Sequence, residues 1–232
     1  HPQSARALLL ALALDANPEN RARQKQVIAL RLTSEIAAVT GALEQLVDAL
    51  APEQRIPALL RGFPALRQLT HEERVQLMAC LNGMLPRDGN VSLHSYVLRK
   101  LAQVHLRDDL NPGARASQLT LQAVQQDAQV LFSVMARHGH SDEISARRAY
   151  EVGMHHLFPR ERPGYGSAGP WAAALDVALS RLDQLAPIAK EQLVEAMVAT
   201  VTHDQQLTMG EAELLRAVCA SVHCPLPPLV AS

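Results

Sequence analysis

The sequence predicts an all-α protein of about ten to eleven helices, a multi-helical bundle containing two helical hairpins. Three observations lead there. Apolar residues recur at helical spacing through most of the chain, and no stretch alternates with a period of two. Alanine and leucine dominate while aromatic residues make up 3%, a composition that favours close helix packing over a sheet or an aromatic ligand cage. Capping and breaking residues then divide the apolar stripes into helix-length pieces.

Taken in order, residues 4–15 form a first helix that stops before Ala16-Asn17-Pro18, where Asn17 caps and Pro18 enters the first turn of the next. That second helix runs to about residue 30. Thr33 or Ser34 opens a third through residue 50, interrupted at Gly41, and Pro52 opens a fourth through about residue 69. Thr70-His71-Glu72-Glu73 is a capping box that starts the first hairpin. Residues 107–118 (RDDLNPGARASQ) read as the internal linker. A long helix over 119–137 follows, ended by Gly139; Ser141, Asp142 and Glu143 start another to residue 157, and residues 159–170 (PRERPGYGSAGP) make a loop. The last helices are 171–185 and, after Pro187, the second hairpin, before a tail, Pro225-Leu226-Pro227-Pro228, that cannot be helical.

The second hairpin, residues 193–224, is the clearest unit. Leu193, Val194, Met197, Val198 and Val201 stripe its first helix, and Leu214, Leu215, Val218 and Val222 its second. His203, Asp204, Gln205 and Gln206 form a polar turn, and Thr208-Met209-Gly210-Glu211 is a second capping box. A shift of 116 residues lays the first hairpin on it: Gln76-Leu77 on Gln192-Leu193, Asp88 on Asp204 and Leu98 on Leu214. Ser92 then stands where Thr208 caps, while Ser95 replaces Glu211. Segments 1–69, 70–118 and 119–232 are expected to pack as one compact domain.

With a formal net charge of −1 and 19% charged residues, the chain lacks the basic face of a nucleic-acid binder and the polybasic patch of a membrane-surface protein. Its longest apolar run, from Ala7 to Leu14, is well short of the ~20 residues that span a bilayer. Cys80, Cys219 and Cys224 have no CxxC spacing, and the first and second sit in apolar helical stretches, as buried free thiols do. That usage suits a reducing compartment. The chain opens on His1-Pro2 in place of Met, so an upstream portion is expected.

Candidate chemistry is sparse. His71-Glu72-Glu73-Arg74-Val75 begins like a zinc-protease HExxH, but Val75 replaces the second histidine and the capping box accounts for the rest. His155-His156 point about 100° apart on a helix, whereas His138 and His140 flank a helix-ending glycine and could share an ion. A solvated helix end, with cationic rings near the negative end of the dipole, is the reading preferred for that pair. Asp204 and Glu211 do not supply the alternating oxygens of an EF-hand loop. Neither a phosphate-binding loop nor a serine nucleophile elbow is present, so no enzyme activity is expected of this chain.

Four stretches carry a resemblance: residues 4–27 (SARALLLALALDANPENRARQKQV), 63–106 (FPALRQLTHEERVQLMACLNGMLPRDGNVSLHSYVLRKLAQVHL), 131–143 (LFSVMARHGHSDE) and 204–229 (DQQLTMGEAELLRAVCASVHCPLPPL). In order and spacing they resemble the C-terminal helical region of bacterial M48-family, HtpX-related membrane zinc metallopeptidases. The two hairpins with acidic turns also resemble the half-repeats of TerB-type domains. This resemblance implies a non-catalytic accessory domain on the cytoplasmic face of the inner membrane. Its partners would be its own upstream peptidase domain, protein substrates and further copies of itself, with no nucleic acid and no membrane span of its own. Zinc is expected only in the upstream catalytic domain. In the TerB-like pattern carboxylates hold a divalent ion; Asp204 and Glu211 match it, and Asp88 matches without its glutamate. A free-standing TerB-like stress protein and a HEAT-like helical scaffold are the alternatives.

Overall fold

A computed structural model describes residues 1–107, 118–166 and 169–228, and among these it holds eleven α-helices and no named strand. The protein is all-α, as its sequence predicts. The chain divides into two compact units, His1–Pro112 and Gly113–Ser232. The expected boundary at 69/70 falls inside the first unit, and residues 108–117 of the expected linker lie outside the described residues.

The first unit contains α1 (Pro2–Leu12), α2 (Pro18–Arg31), α3 (Ser34–Asp48), α4 (Pro52–Leu66), α5 (His71–Gly83) and α6 (Leu93–Arg107). α1 is apolar on nearly every side, the mark of a helix enclosed by others. It packs against α3 and α4 and buries Ala7, Leu9, Leu10, Ala11 and Leu12. α2 is polar and works by hydrogen bonds. Asn17 caps it through the N–H groups of Glu19 and Asn20, at 3.0 and 3.2 Å. From its flank Arg23 and Gln24 donate to the carbonyls of Met84 and Leu85, satisfying the C-terminus of α5. α3 runs unbroken through Gly41, against the expected interruption. α4 ends at Leu66, three residues before the expected end, and passes Pro57 and Pro64 without breaking.

The second unit contains a short 3-10 turn (Gln122–Val124), α7 (Gln125–Gly139), α8 (Glu143–Leu157), α9 (Trp171–Leu182), α10 (Pro187–Thr202) and α11 (Met209–Ser221). α7 is its axis. It packs against all four other helices and buries every residue from Leu131 to Ala136. That central arrangement differs from a solenoid, in which each repeat touches only its neighbours. The expected helix over 119–137 begins later because Leu119 is taken by another element. Leu119 N–H donates to Gln184 O at 2.8 Å, forming an isolated parallel bridge with Leu185, and Thr120 then receives the N–H of Ala123. α9 likewise stops at Leu182 where residue 185 was expected, because Leu185 joins that bridge.

The stripe on α10 is also displaced. Leu193, Met197 and Val201 are buried as expected, but Ala196 and Thr200 complete the buried face while Val194 and Val198 are only partly covered. The cause is Gly153 on α8, where an added Cβ would overlap both Thr200 Oγ1 and the ring of Phe132 on α7. The missing side chain lets α8, α10 and α7 approach closely enough to enclose small residues.

The repeat is visible in the backbone. α5 and α10 begin 116 residues apart, α6 and α11 begin 116 apart, and α4 and α9 end 116 apart. Both turns place an aspartate oxygen on the N–H two residues on, Asp88 with Asn90 and Asp204 with Gln206, each at 3.0 Å. The residue between is left-handed in both, Gly89 at φ 72° and Gln205 at φ 61°. Ser92 and Thr208 then cap α6 and α11 through the N–H three residues on, at 3.1 and 3.2 Å.

Gly153→Ala is expected to cost the second unit about 1–3 kcal/mol, the usual penalty for overfilling a packed core. Denaturant unfolding followed through Trp171, the only tryptophan in the sequence, measures it; an unchanged midpoint would contradict this packing.

Candidate metal centre at the turn of the second hairpin

The polar turn between α10 and α11 lies against the end of α7. After Gly139 the chain leaves α7 in an extended conformation at His140, φ −131° and ψ 144°. The ring of His140 turns back, with Nδ1 3.0 Å from Ala136 O. A carbonyl only accepts, so Nδ1 carries hydrogen, and the tautomer this bond selects has its lone pair on Nε2. This imidazole is 6% exposed, and Nε2 is buried without a hydrogen bond. Asp204 Oδ2 stands 3.4 Å from it.

His203 follows α10 and is held in the same manner, with Nδ1 2.9 Å from Thr200 O. Its ring lies 5.1 Å from that of His140, centroid to centroid. One ligand atom each from His140, His203 and Asp204 falls within 4.8 Å of the other two, the one such trio among the described residues. Burial pushes the Asp204 carboxyl up, but the Gln206 N–H and the neighbouring His203 and His140 outweigh it and hold the group below its ordinary range.

Glu211 stands beside this trio with a different occupation. Its Oε2 accepts from Thr208 N and Thr208 Oγ1, each at 2.9 Å, in the expected capping box. The residue is 2% exposed. Burial raises its pKa above the usual value, against the opposing pull of Thr208 and His140. The side chain also explains Gly139, where a Cβ would overlap the Glu211 carboxylate. The helix end must be glycine for the turn to dock.

Of the three carboxylates the sequence offered, the structure brings Asp204 into the trio and Glu211 next to it. Asp88 is exposed and belongs to no such group among the described residues. The solvated helix end expected of His138 and His140 is not what forms, since neither side chain is exposed. His138 is half-buried with its ring 4.5 Å from that of Trp171, and burial, reinforced by Arg137, lowers its pKa. His155 and His156 are exposed, and His156 lies 3.6 Å from Glu195. His71 is exposed at the start of α5, where Thr70 and Glu73 close their capping box. Cys80 and Cys219 are buried free thiols, pushed up by burial to about 11 and about 12 and therefore protonated at neutral pH.

Comparison with protein-family models, with curated proteins and with solved structures finds no match for this chain. Among the described residues, no helix is long and apolar enough to cross a membrane.

A second polar cluster closes the other end of the same hairpin. Asp183 Oδ1 accepts from Lys190 Nζ and His223 Nδ1, each at 2.9 Å, and Lys190 also donates to Val222 O at 2.8 Å. α11 ends there in a Schellman arrangement: Cys224 N–H reaches Cys219 O at 2.9 Å, His223 N–H reaches Ala220 O at 3.2 Å, and His223 is left-handed at φ 57°. The contact with Asp183 holds that non-glycine residue in place. Burial pushes the Asp183 carboxyl up, but His223 and Lys190 outweigh it and keep it below its ordinary value. A depressed folded-state pKa gives stability that is complete above the unfolded value of about 3.9 and is lost as pH falls through the folded value. Asp183→Asn is therefore expected to cost about 1–2 kcal/mol at neutral pH, and its gap from wild type should close as unfolding is measured at successively lower pH below about 4. A gap that persists in acid would remove the carboxylate from the account.

Proposed function

We propose that this chain is a non-catalytic accessory domain of a membrane-bound zinc metallopeptidase, acting by contact with its own peptidase domain and with protein substrates on the cytoplasmic side. Two things support the reading. One is the resemblance to M48-family C-terminal regions, carried by four stretches in matching order. The other is the exposure of apolar side chains in the second unit, among them Ile144 at 67%, Met209 at 47% and Leu207 at 38%. Exposed apolar side chains are groups that a protein contact can bury.

The coding DNA upstream of His1 is expected to encode an in-frame HExxH helix flanked by apolar segments of ~20 residues. In that full-length protein, Ile144→Asp with Met209→Asp should slow degradation of an unfolded substrate severalfold at an unchanged unfolding midpoint. A start codon directly before His1, or proteolysis indifferent to the double change, would overturn the reading.

A second reading is favoured by the trio at the α10–α11 turn: a TerB-like module that binds a divalent ion. Calorimetric titration with zinc, calcium and magnesium ions in turn tests it. One of them is expected to bind, and to be lost on Asp204→Ala with Glu211→Ala; silence with all three would overturn it.

A further inference from the structure

We propose that His140, His203 and Asp204 together bind a divalent transition-metal ion of the zinc class, fastening the end of α7 to the turn of the α10–α11 hairpin. The inference rests on the ion-binding reading and departs from it in the ligands, because two of the three are imidazoles and one comes from outside the hairpin. Both histidines are prepared in the same way. Each gives Nδ1–H to a main-chain carbonyl in the helix that precedes it, Ala136 O at 3.0 Å and Thr200 O at 2.9 Å. Such bonds to the distal nitrogen are how proteins orient metal-binding histidines and fix the tautomer whose Nε2 can ligate.

Of two uses of the His140–Asp204 approach, its spacing fits a shared ion better than a direct hydrogen bond, within a trio whose ligand atoms all lie within 4.8 Å of one another. Charge-assisted hydrogen bonds from nitrogen to a carboxylate close to about 2.7–2.9 Å. Two ligands bound at about 2.1 Å to a tetrahedral zinc ion stand about 3.4 Å apart. His140 Nε2 and Asp204 Oδ2 are separated by 3.4 Å, and Nε2 makes no hydrogen bond although its ring is 94% enclosed. Leaving such a nitrogen unpaired in the interior is unfavourable, and an ion at the centre of the trio removes that penalty.

The donor set selects the ion. Calcium takes six to eight oxygens and magnesium keeps an octahedral oxygen shell, whereas imidazole with a carboxylate suits zinc and its neighbours. Glu211 stays with Thr208; the fourth position is left to water or to a group from a partner.

The experiment is calorimetric titration of the whole chain, freed of metal, with zinc, calcium and magnesium ions separately, using wild type and three variants. Zinc is expected to bind at one ion per chain, and calcium and magnesium not to bind. His203→Ala and Asp204→Asn should each weaken zinc binding by at least about 100-fold, with metal-free circular dichroism unchanged. His156→Ala, on the exposed face of α8, should leave the affinity as it is. Cobalt bound in place of zinc should show the visible absorption of a four-coordinate site. His140 is enclosed, so the less buried His203 and Asp204 carry the test. Zinc binding unaffected by both variants would overturn the site. Calcium or magnesium binding without zinc would overturn it while sparing the acidic-turn reading, and absence of any binding would overturn both.

Discussion

Close approach of helices through small residues is the constraint on which the second unit depends. The chain has few aromatic side chains with which to fill space, so its core is alanine and leucine and its helices must come near one another to exclude water. Gly153 is where this shows most directly, because α8, α10 and the Phe132 ring of α7 meet at a position with no side chain. The same requirement recurs at Gly139, where the carboxylate of Glu211 occupies the volume a Cβ would need. The candidate metal centre is thus a product of the packing, since only a bare helix end lets the turn come within reach of His140.

Legibility in the sequence followed the range of the forces involved. Asn17, Thr70 and Thr208 cap helices by bonds that span two or three residues, each where the pattern places it, and Asp142 caps α8 within the Ser141–Glu143 start that the pattern marks. The start of α7 was misplaced because Leu119 answers to Leu185, far along the chain. On α10 the periodicity gives Leu193, Met197 and Val201 correctly but puts Val194 and Val198 where Ala196 and Thr200 complete the buried face, since no local pattern announces Gly153 as their neighbour. At the candidate site Asp204 and Glu211 could be picked from the turn alone. From sequence, His140 beside Gly139 reads as a solvated helix end and His203 as part of a polar turn. What joins them is tertiary: two rings whose hydrogen bonds are local but whose meeting requires α7 to end beside α10.

The two hairpins show one backbone put to different uses. An aspartate oxygen, a left-handed residue and a hydroxyl cap recur with the same spacing in both. In the first, Ser95 stands where Glu211 closes a capping box in the second, and Asp88 faces solvent. Arg23 and Gln24 instead satisfy the carbonyls at the end of α5. The turn geometry is therefore common to both hairpins, while the polar trio forms only at the second among the described residues.

The cluster of Asp183, Lys190 and His223 gives the second hairpin a fixed base. Lys190 joins the first turn of α10 to the last carbonyls of α11 through one ammonium group, and Asp183 anchors both to the end of α9. With its base tied through Asp183 and its turn docked where Gly139 leaves room for Glu211, the hairpin is fastened at both ends, and the register of α10 and α11 against α7 is set twice over.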